Sequence, residues 1–218
     1  NPNRELKLGI NSNLGVPDKL IDRMIEKIQK LEDENRVKEI IIFTSVDTWG
    51  EQAEYTRNGL EFNRFCDNVN KVMTKCNRVN LTFMVTYNAL SVPNFEKLIH
   101  GVYDLKREYA SPDRYWNSAV FLDSSYLRYP YHQTVQVLPE EFANYVYTQT
   151  QLTEYYATPS FDRRLVGYSD IEVQKIKRIH DWMLAEKDPQ DVLKKRQNFY
   201  RFFNAHDERR GTDFKKTF

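Results

Sequence analysis

The sequence has few cysteines, no long apolar run and no signal-peptide pattern, and each absence excludes a class of protein. Two cysteines occur among the 218 residues, Cys66 and Cys76. Their spacing fits neither a zinc-binding pair nor a C-x-x-C redox pair, so we expect partly buried, reduced thiols. Because no apolar run approaches the length of a membrane span, we expect a soluble, cytoplasmic protein without a membrane partner.

Net charge is also nearly absent. Charged residues make up 29% of the chain, but the formal net charge is only +1. Charge alone therefore indicates neither a nucleic-acid partner nor an anionic membrane surface. The hydrophobic fraction of 40% is large enough to support a core. The length fits one large domain or a domain and a half.

The first two thirds of the chain alternate between strand and helix patterns. The run 37–46, "VKEIIIFTSV", is continuously apolar, as expected of a strand that is buried on both faces. The full alternation comprises strands at 6–13, 37–46, 79–88 and 116–123 and helices at 17–33, 60–75 and 93–108. Strands and helices at this spacing predict right-handed βαβ crossovers and a parallel sheet, an α/β fold.

After residue 123 the pattern changes to a Tyr-rich connection followed by helices alone. The helices are predicted at about 139–156, 169–185 and 189–204. Ser169, followed by Glu172, predicts a capping box at the start of the second of these. We therefore divide the chain into an α/β part, 1–138, and a helical extension, 139–218.

The four predicted strands end in small polar residues: Asn11-Ser12-Asn13, Thr44-Ser45-Val46-Asp47, Thr86-Tyr87-Asn88 and Asp123-Ser124-Ser125. In parallel α/β folds, ligands bind at the carboxyl ends of the strands. Asn, Asp and Ser also favour turns and helix N-caps, and turn chemistry alone would explain any single strand end. All four together favour a polar ligand site at one edge of the sheet.

The segment that follows the second strand is rich in charged groups. Glu51, Glu54 and Arg57 are spaced three residues apart, so on a helical turn they would share a face. A solvated surface cluster is the alternative interpretation. An arginine just beyond a strand end can also hold a carboxylate through two hydrogen bonds.

This segment resembles a known family. The residues 45–73, "SVDTWGEQAEYTRNGLEFNRFCDNVNKVM", are similar to the fourth strand and following helix of radical S-adenosylmethionine (radical SAM) proteins. Their pattern is Ser-x-Asp-Gly, then Glu-Tyr-x-Arg, a Gly, an aromatic residue and an Asn-bearing helix. The likeness is greatest to the group that carries a SPASM or twitch segment, whose third strand, fifth strand and Asp-x-Arg-Arg-Gly tail resemble 6–13, 83–99 and 205–218.

The sequence departs from the family pattern in two ways. Thr48 stands where the pattern has a glycine. The C-x-x-x-C-x-x-C loop that binds a 4Fe–4S cluster, and the Gly-Gly-Glu-Pro strand end that binds the methionyl amino group, are absent from residues 1–218. The resemblance implies that both precede residue 1, so the cluster ligands are expected outside this chain and the chain alone is expected to be inactive.

The resemblance implies a fold, an activity and cofactors. The fold would be strands three to six of a partial, TIM-like (β/α)6 radical SAM barrel with a C-terminal helical extension. In this family the reduced cluster donates an electron to S-adenosylmethionine, which releases methionine and a 5′-deoxyadenosyl radical that abstracts hydrogen from the substrate. The substrate would be an unidentified peptide or small molecule, and the reductant a ferredoxin or flavodoxin.

The resemblance also assigns cofactor-binding roles at the strand ends. Ser45 and Asp47 would hydrogen-bond the ribose or the amino-acid part of S-adenosylmethionine. Arg57 would pair with its carboxylate. Thr86 and Asn88 would line the ribose side.

The remaining assignments concern the edges of that site. Asn11 and Asn13 would border the methionine or the substrate. Glu51 has a weaker basis as a cofactor contact, and Glu54 would orient Arg57. No catalytic residue and no metal ligand is assigned within this chain.

Two other functions remain open. A non-catalytic protein-binding or scaffold module on a partial α/β barrel would use seven tyrosines as its surface: Tyr126, Tyr129, Tyr131, Tyr145, Tyr147, Tyr155 and Tyr156. Tyrosine is enriched at interfaces, although scattered tyrosines on helices are more often half-buried packing residues. An ordinary barrel hydrolase or isomerase would need paired catalytic acids or metal ligands, and the sequence shows no such pattern.

Overall fold

The structure is a computed structural model that describes residues 6–111, 119–157 and 166–218. Its centre is a parallel sheet of four strands, each hydrogen-bonded to the next along the chain. The strands are β1 Lys7–Asn11, β2 Glu39–Ser45, β3 Val79–Tyr87 and β4 Val120–Tyr126. Together with the flanking helices this is an α/β fold, as the alternation of patterns predicts.

The six predicted helices are present, with small shifts at their ends. In chain order the helices are α1 Asp18–Asp33, α2 Glu51–Thr56, α3 Phe62–Lys75, α4 Phe95–Tyr109, α5 Phe142–Tyr155, α6 Asp170–Leu184, α7 Pro189–Arg210 and α8 Phe214–Thr217. The short helices α2 and α8 were not predicted, and the end of α7 at residue 204 was wrong. Residues 205–210 contain no helix breaker, so α7 continues to Gly211, whose φ of 66° ends it.

The predicted end of the fourth strand at residue 123 was also wrong, and its predicted residues 116–118 lie outside the described ranges. β4 continues to Tyr126 because Ser124, Ser125 and Tyr126 stay in register with the last residues of β3. Serine suits turns as well as strands, and pairing with β3 decides between them. Asp123 and Ser125 therefore lie within the strand rather than beyond it.

The two faces of the sheet differ in polarity. Because each crossover steps to the next strand in the same direction, right-handed connections carry α1, α3 and α4 to one face. Phe65 of α3 packs there against Phe83, with ring centroids 6.1 Å apart. Toward the carboxyl ends of the strands, the second face carries three rows of residues that share a register: Asn11, Phe43, Thr82 and Phe121; then Ser45, Met84 and Asp123; then Thr86 and Ser125.

The second face is only partly covered. Phe43 and Ser45 of β2 are half-buried, and Met84 and Thr86 of β3 are exposed. The apolar run of β2 predicts that both of its faces are buried, but only the helix-covered face is completely buried. The polar rows of the second face end at the carboxyl edge of the sheet.

Helix α6 packs against β4, the last strand. Glu172 accepts the backbone N–H of Leu122 at 2.7 Å, and Lys175 pairs with Asp123. The indole of Trp182 stacks on Tyr126 with centroids 5.1 Å apart. The predicted capping box of Ser169 and Glu172 is confirmed at the start of this helix.

Two hydrophobic clusters hold the elements together. The larger one joins the helix-covered face of the sheet to α1, α3, α4, α5 and α6. The smaller one gathers aromatic residues of α2, α7 and α8. Cys66 is half-buried and Cys76 buried, and both thiols are free. Of the helices in the described ranges, none has the length and apolarity to span a bilayer. The division at residue 138 stays a prediction.

Candidate functional site

Asp47 lies just beyond β2 and joins two of the predicted binding residues. Its Oδ1 accepts the backbone N–H of Thr86 at 2.8 Å. Its Oδ2 pairs with Nη2 of Arg57 at 2.9 Å. The residue is only 8% exposed, so both contacts are largely shielded from water. The carboxyl ends of β2 and β3 and the end of α2 thus meet at one carboxylate.

The chain between Asp47 and Arg57 is shaped by packing and by one turn. Trp49 packs so closely on α4 that a Cβ on Gly101 would lie 2.5 Å from its ring. Gly50 has a φ of 64°, in the region that favours glycine, and turns the chain into α2. After the six residues of α2, Arg57 returns to the strand end.

Arg57 retains unused hydrogen-bonding capacity. A guanidinium has five N–H donors in a rigid fork, and the pair with Asp47 uses Nη2. Its Nε is buried and has no hydrogen-bond partner among the described residues. The side chain is 31% exposed. Its remaining N–H groups can donate to a further acceptor.

Ser45 and Thr86 lie near this pair on the second face of the sheet. Ser45 is half-buried and shares a row with Met84 and Asp123. Thr86 is exposed, in the next row toward the carboxyl edge. The two residues lie on adjacent strands, which are about 4.8 Å apart, so both hydroxyl groups belong to one rim.

Three predicted site residues have other surroundings. Asn11 is exposed at the end of β1, in the row of Phe43. Oδ1 of Asn13 accepts the N–H of Gly15 at 3.2 Å, a local turn bond. Glu51 is exposed in the first turn of α2. No described contact joins these three residues to the pair of Asp47 and Arg57.

Asn88 and Glu54 also make local structural bonds. The Asn88 side chain accepts the N–H of Leu90 and donates to the carbonyl of Thr86, each at 2.9 Å. It therefore shapes the turn after β3 beside the site. Glu54 accepts the N–H of Phe62 at 2.7 Å, which caps the start of α3. Glu54 was expected to orient Arg57, but the contact observed is the one with Phe62.

Two neighbouring groups were not predicted as site residues. Asp123 lies in the row of Ser45, and Lys175 of α6 reaches it to form an ion pair. The sequence offered a reason to consider Asp123, because it is the last residue of a predicted strand. It offered none for Lys175, because its partner is 52 residues away in the sequence.

The C-terminal strap, residues 207–218, braces α2, the helix that precedes Arg57. Tyr55 of α2 donates to Oδ1 of Asp207 at 2.8 Å, and Gln52 donates to the carbonyl of Thr217 at 3.1 Å. Removal from water raises the pKa of Asp207, but hydrogen bonds from Thr212, the Phe214 N–H and Tyr55 outweigh it and lower the pKa to about 2. The strap thus fixes α2 through an ionised carboxylate.

Metal binding has little support in the described side chains. In 6–111, 119–157 and 166–218, no three His, Cys, Asp or Glu side chains are grouped to hold a metal ion. Burial raises the pKa of the Cys66 thiol to about 11, so it is protonated at neutral pH. The thiolate is the ligand form, so Cys66 is poorly suited to metal binding.

Comparison with known proteins gives no further guide to function. No protein-family model, no curated protein and no solved structure matches the chain. Function is therefore inferred from the residues of the chain.

Proposed function

We propose that this chain is the C-terminal part of a radical SAM enzyme and forms the ribose and carboxylate side of its S-adenosylmethionine site. The carboxylate of Asp47, which joins Arg57 and Thr86 at the strand ends, is the observation that carries the proposal. The ligand offers a carboxylate for Arg57 and a ribose diol for the hydroxyl groups of Ser45 and Thr86.

The order of the strands supports a barrel. Four parallel strands that pair in chain order are what a segment of a (β/α) barrel has. A doubly wound sheet instead reverses its strand order at the ligand site. In the proposed TIM-like barrel the four strands are numbers three to six, and the polar second face is the interior.

Each residue at the rim has a role in holding the ligand. Asp47 fixes the direction of the Arg57 fork and balances its charge before the ligand arrives. The other N–H donors of Arg57 then bind the ligand carboxylate with little loss of side-chain freedom. Ser45 and Thr86 orient the ribose from two adjacent strands.

The residues of this chain do not fit a 4Fe–4S cluster. Cys66 lies in α3 and Cys76 at its end, and such clusters are held by several thiolates. The cluster would supply the electron that starts radical chemistry, and the proposal assigns its ligands to a segment outside this chain. A C-x-x-x-C-x-x-C pattern in the coding sequence before Asn1 is expected.

Nuclear magnetic resonance titration of the ¹⁵N-labelled chain with S-adenosylhomocysteine tests the proposal. Shifts are expected at the amides of Ser45, Arg57 and Thr86, and in Arg57→Ala those of Ser45 and Thr86 should need about tenfold more ligand. Arg64→Ala is the matched control, because Arg64 pairs with Glu61 on the surface of α3. Shifts that are absent at millimolar ligand, or that persist unchanged in Arg57→Ala, would contradict the proposal.

A scaffold function is the second candidate, and the exposure of several tyrosines favours it. Five of the seven tyrosines at issue are at least half exposed: Tyr129, Tyr131, Tyr145, Tyr147 and Tyr155. Tyr126 and Tyr156 are half-buried and stack on Trp182 and Tyr103. The exposed residues are divided between α5 and the connection after β4, so the rim remains the better-supported site. No response to S-adenosylhomocysteine, with no cysteine pattern before Asn1, would favour the scaffold.

A further inference from the structure

A cavity lies on the second face of the sheet, toward the amino-terminal ends of the strands. It has a volume of about 400 Å³, opens to solvent on one side and lies between β2, β3, β4 and the start of α6. Ile41, Phe121 and Ile171 are among its apolar lining residues. Small-molecule sites are typically mostly apolar cavities of about 300–1,000 Å³ with a few polar groups.

One polar side chain in this cavity, that of Asn80, has no hydrogen-bond partner among the described residues. Asn80 lines the cavity, is 4% exposed and lies in register with Ile41, which lines it too. Neither Oδ1 nor Nδ2 of Asn80 has a hydrogen-bond partner in the described ranges. Buried side-chain amides are nearly always hydrogen-bonded, and leaving one unpaired destabilises the fold. A carboxamide that is held in this state is available to a ligand.

We propose that this cavity binds a neutral, planar heteroaromatic molecule through a nucleobase-like edge. The Asn80 carboxamide presents an acceptor and a donor side by side. Its complement is a ring edge that carries a neighbouring donor and acceptor, as adenine does at N6 and N7. The apolar walls, with the ring of Phe121 among them, suit the faces of such a ring.

The charges around the cavity favour an uncharged ligand. Lys106 lines the cavity but is buried against Glu172, with Nζ 2.9 Å from Oε1, and also donates to the carbonyl of Val120 at 2.8 Å. The cation and the carboxylate neutralise each other. A free base or a nucleoside is therefore favoured over a nucleotide, because none of the described residues that line the cavity offers an unbalanced cation to a phosphate.

The cavity is separate from the strand-end rim. None of its described lining residues belongs to the rim. The nearest, Thr82 and Phe121, lie one row before that of Ser45, which corresponds to about 7 Å along a strand. The inference therefore does not rest on the proposed function, and either can fail without the other.

A pair of purines tests the inference on the wild-type chain. We expect 9-methyladenine to shift the side-chain NH₂ signals of Asn80 and the backbone amide of Thr82 in ¹⁵N spectra. Caffeine has the same fused ring but no N–H donor, so it should bind at least about fivefold more weakly. Equal affinity for the two purines would overturn the proposal, as would shifts confined to Ser45 and Thr86.

Two variants of the chain provide a second test of the inference. Asn80→Leu keeps the side-chain size and removes the polar edge, so binding of 9-methyladenine should fall at least about tenfold. Asn77→Leu, in the exposed turn before β3, is the matched control and should bind normally. Unchanged binding in Asn80→Leu would show that water alone satisfies the amide and would overturn the proposal. The purine comparison stands even if Asn80→Leu does not fold.

Discussion

Replacement of Asp47 by alanine should destabilise the protein more than the loss of an exposed ion pair would. The substitution removes the acceptor of the Thr86 N–H at 2.8 Å and the partner of Arg57 at 2.9 Å. A hydrogen bond to a charged acceptor contributes about 1.5–3 kcal/mol. The ion pair adds only about 0.5–1 kcal/mol, because the Arg57 side chain is 31% exposed and solvent weakens the attraction.

The expected loss is therefore about 2–4 kcal/mol in the free energy of unfolding. For a chain of this size it corresponds to a fall in Tm of about 5–15 °C. Asp47→Asn should lose less, since the amide oxygen still accepts the Thr86 N–H. Urea unfolding followed by far-ultraviolet circular dichroism measures all three proteins.

Asp22→Ala is the matched control. Asp22 pairs with Lys71 at 2.6 Å, but its side chain is 46% exposed, so the loss should be much smaller than in Asp47→Ala. If Asp47→Ala costs no more than Asp22→Ala, then Asp47 does not hold the strand ends together.

Two further predictions concern the carboxylate of Asp207, in the C-terminal strap, and the buried carboxylate of Glu172. The pKa of folded Asp207 is about 2, below its ordinary 3.8. Its stabilising effect is therefore complete above about pH 4 and is lost as the pH falls through 2. Asp207→Asn should flatten the pH dependence of urea unfolding in that range. Glu172 is 1% exposed and pairs with buried Lys106, so Glu172→Gln should cost at least about 3 kcal/mol, and adding Lys106→Met should restore part of the loss.

Each of these predictions has a clear contrary result. An unchanged acid profile in Asp207→Asn would show that the strap is not held by an ionised carboxylate. Glu154→Gln, at an exposed position of α5, is the control for Glu172→Gln and should have little effect. If adding Lys106→Met to Glu172→Gln lowers stability further, an unpaired buried lysine is not the source of the cost.

The strands and most helices could be predicted because their signals are local. Apolar runs and helical spacing are written into short stretches such as 37–46. The end of β4 was missed because Ser124 and Ser125 are locally neutral and only their register with β3 keeps them in the strand. Helix α2, with six residues, is too short for periodicity to reveal.

The site was predicted in part for the same reason. Asp47 and Arg57 were expected at a strand end, and the structure brings them together. The bond of Glu54 to Phe62 was not foreseen, because the demand of the first N–H groups of α3 for an acceptor depends on where that helix begins. The contact of Tyr55 with Asp207 joins residues 152 positions apart, a separation that leaves no local pattern.

The most direct test of the proposed cofactor site is a ratio of two dissociation constants. S-adenosylhomocysteine should bind Arg57→Ala about tenfold more weakly than the wild-type chain, which corresponds to about 1.4 kcal/mol for the lost contact with its carboxylate. Arg64→Ala should leave the constant unchanged. Equal constants for the wild type and Arg57→Ala would contradict a carboxylate-binding role for Arg57 and the cofactor site built on it.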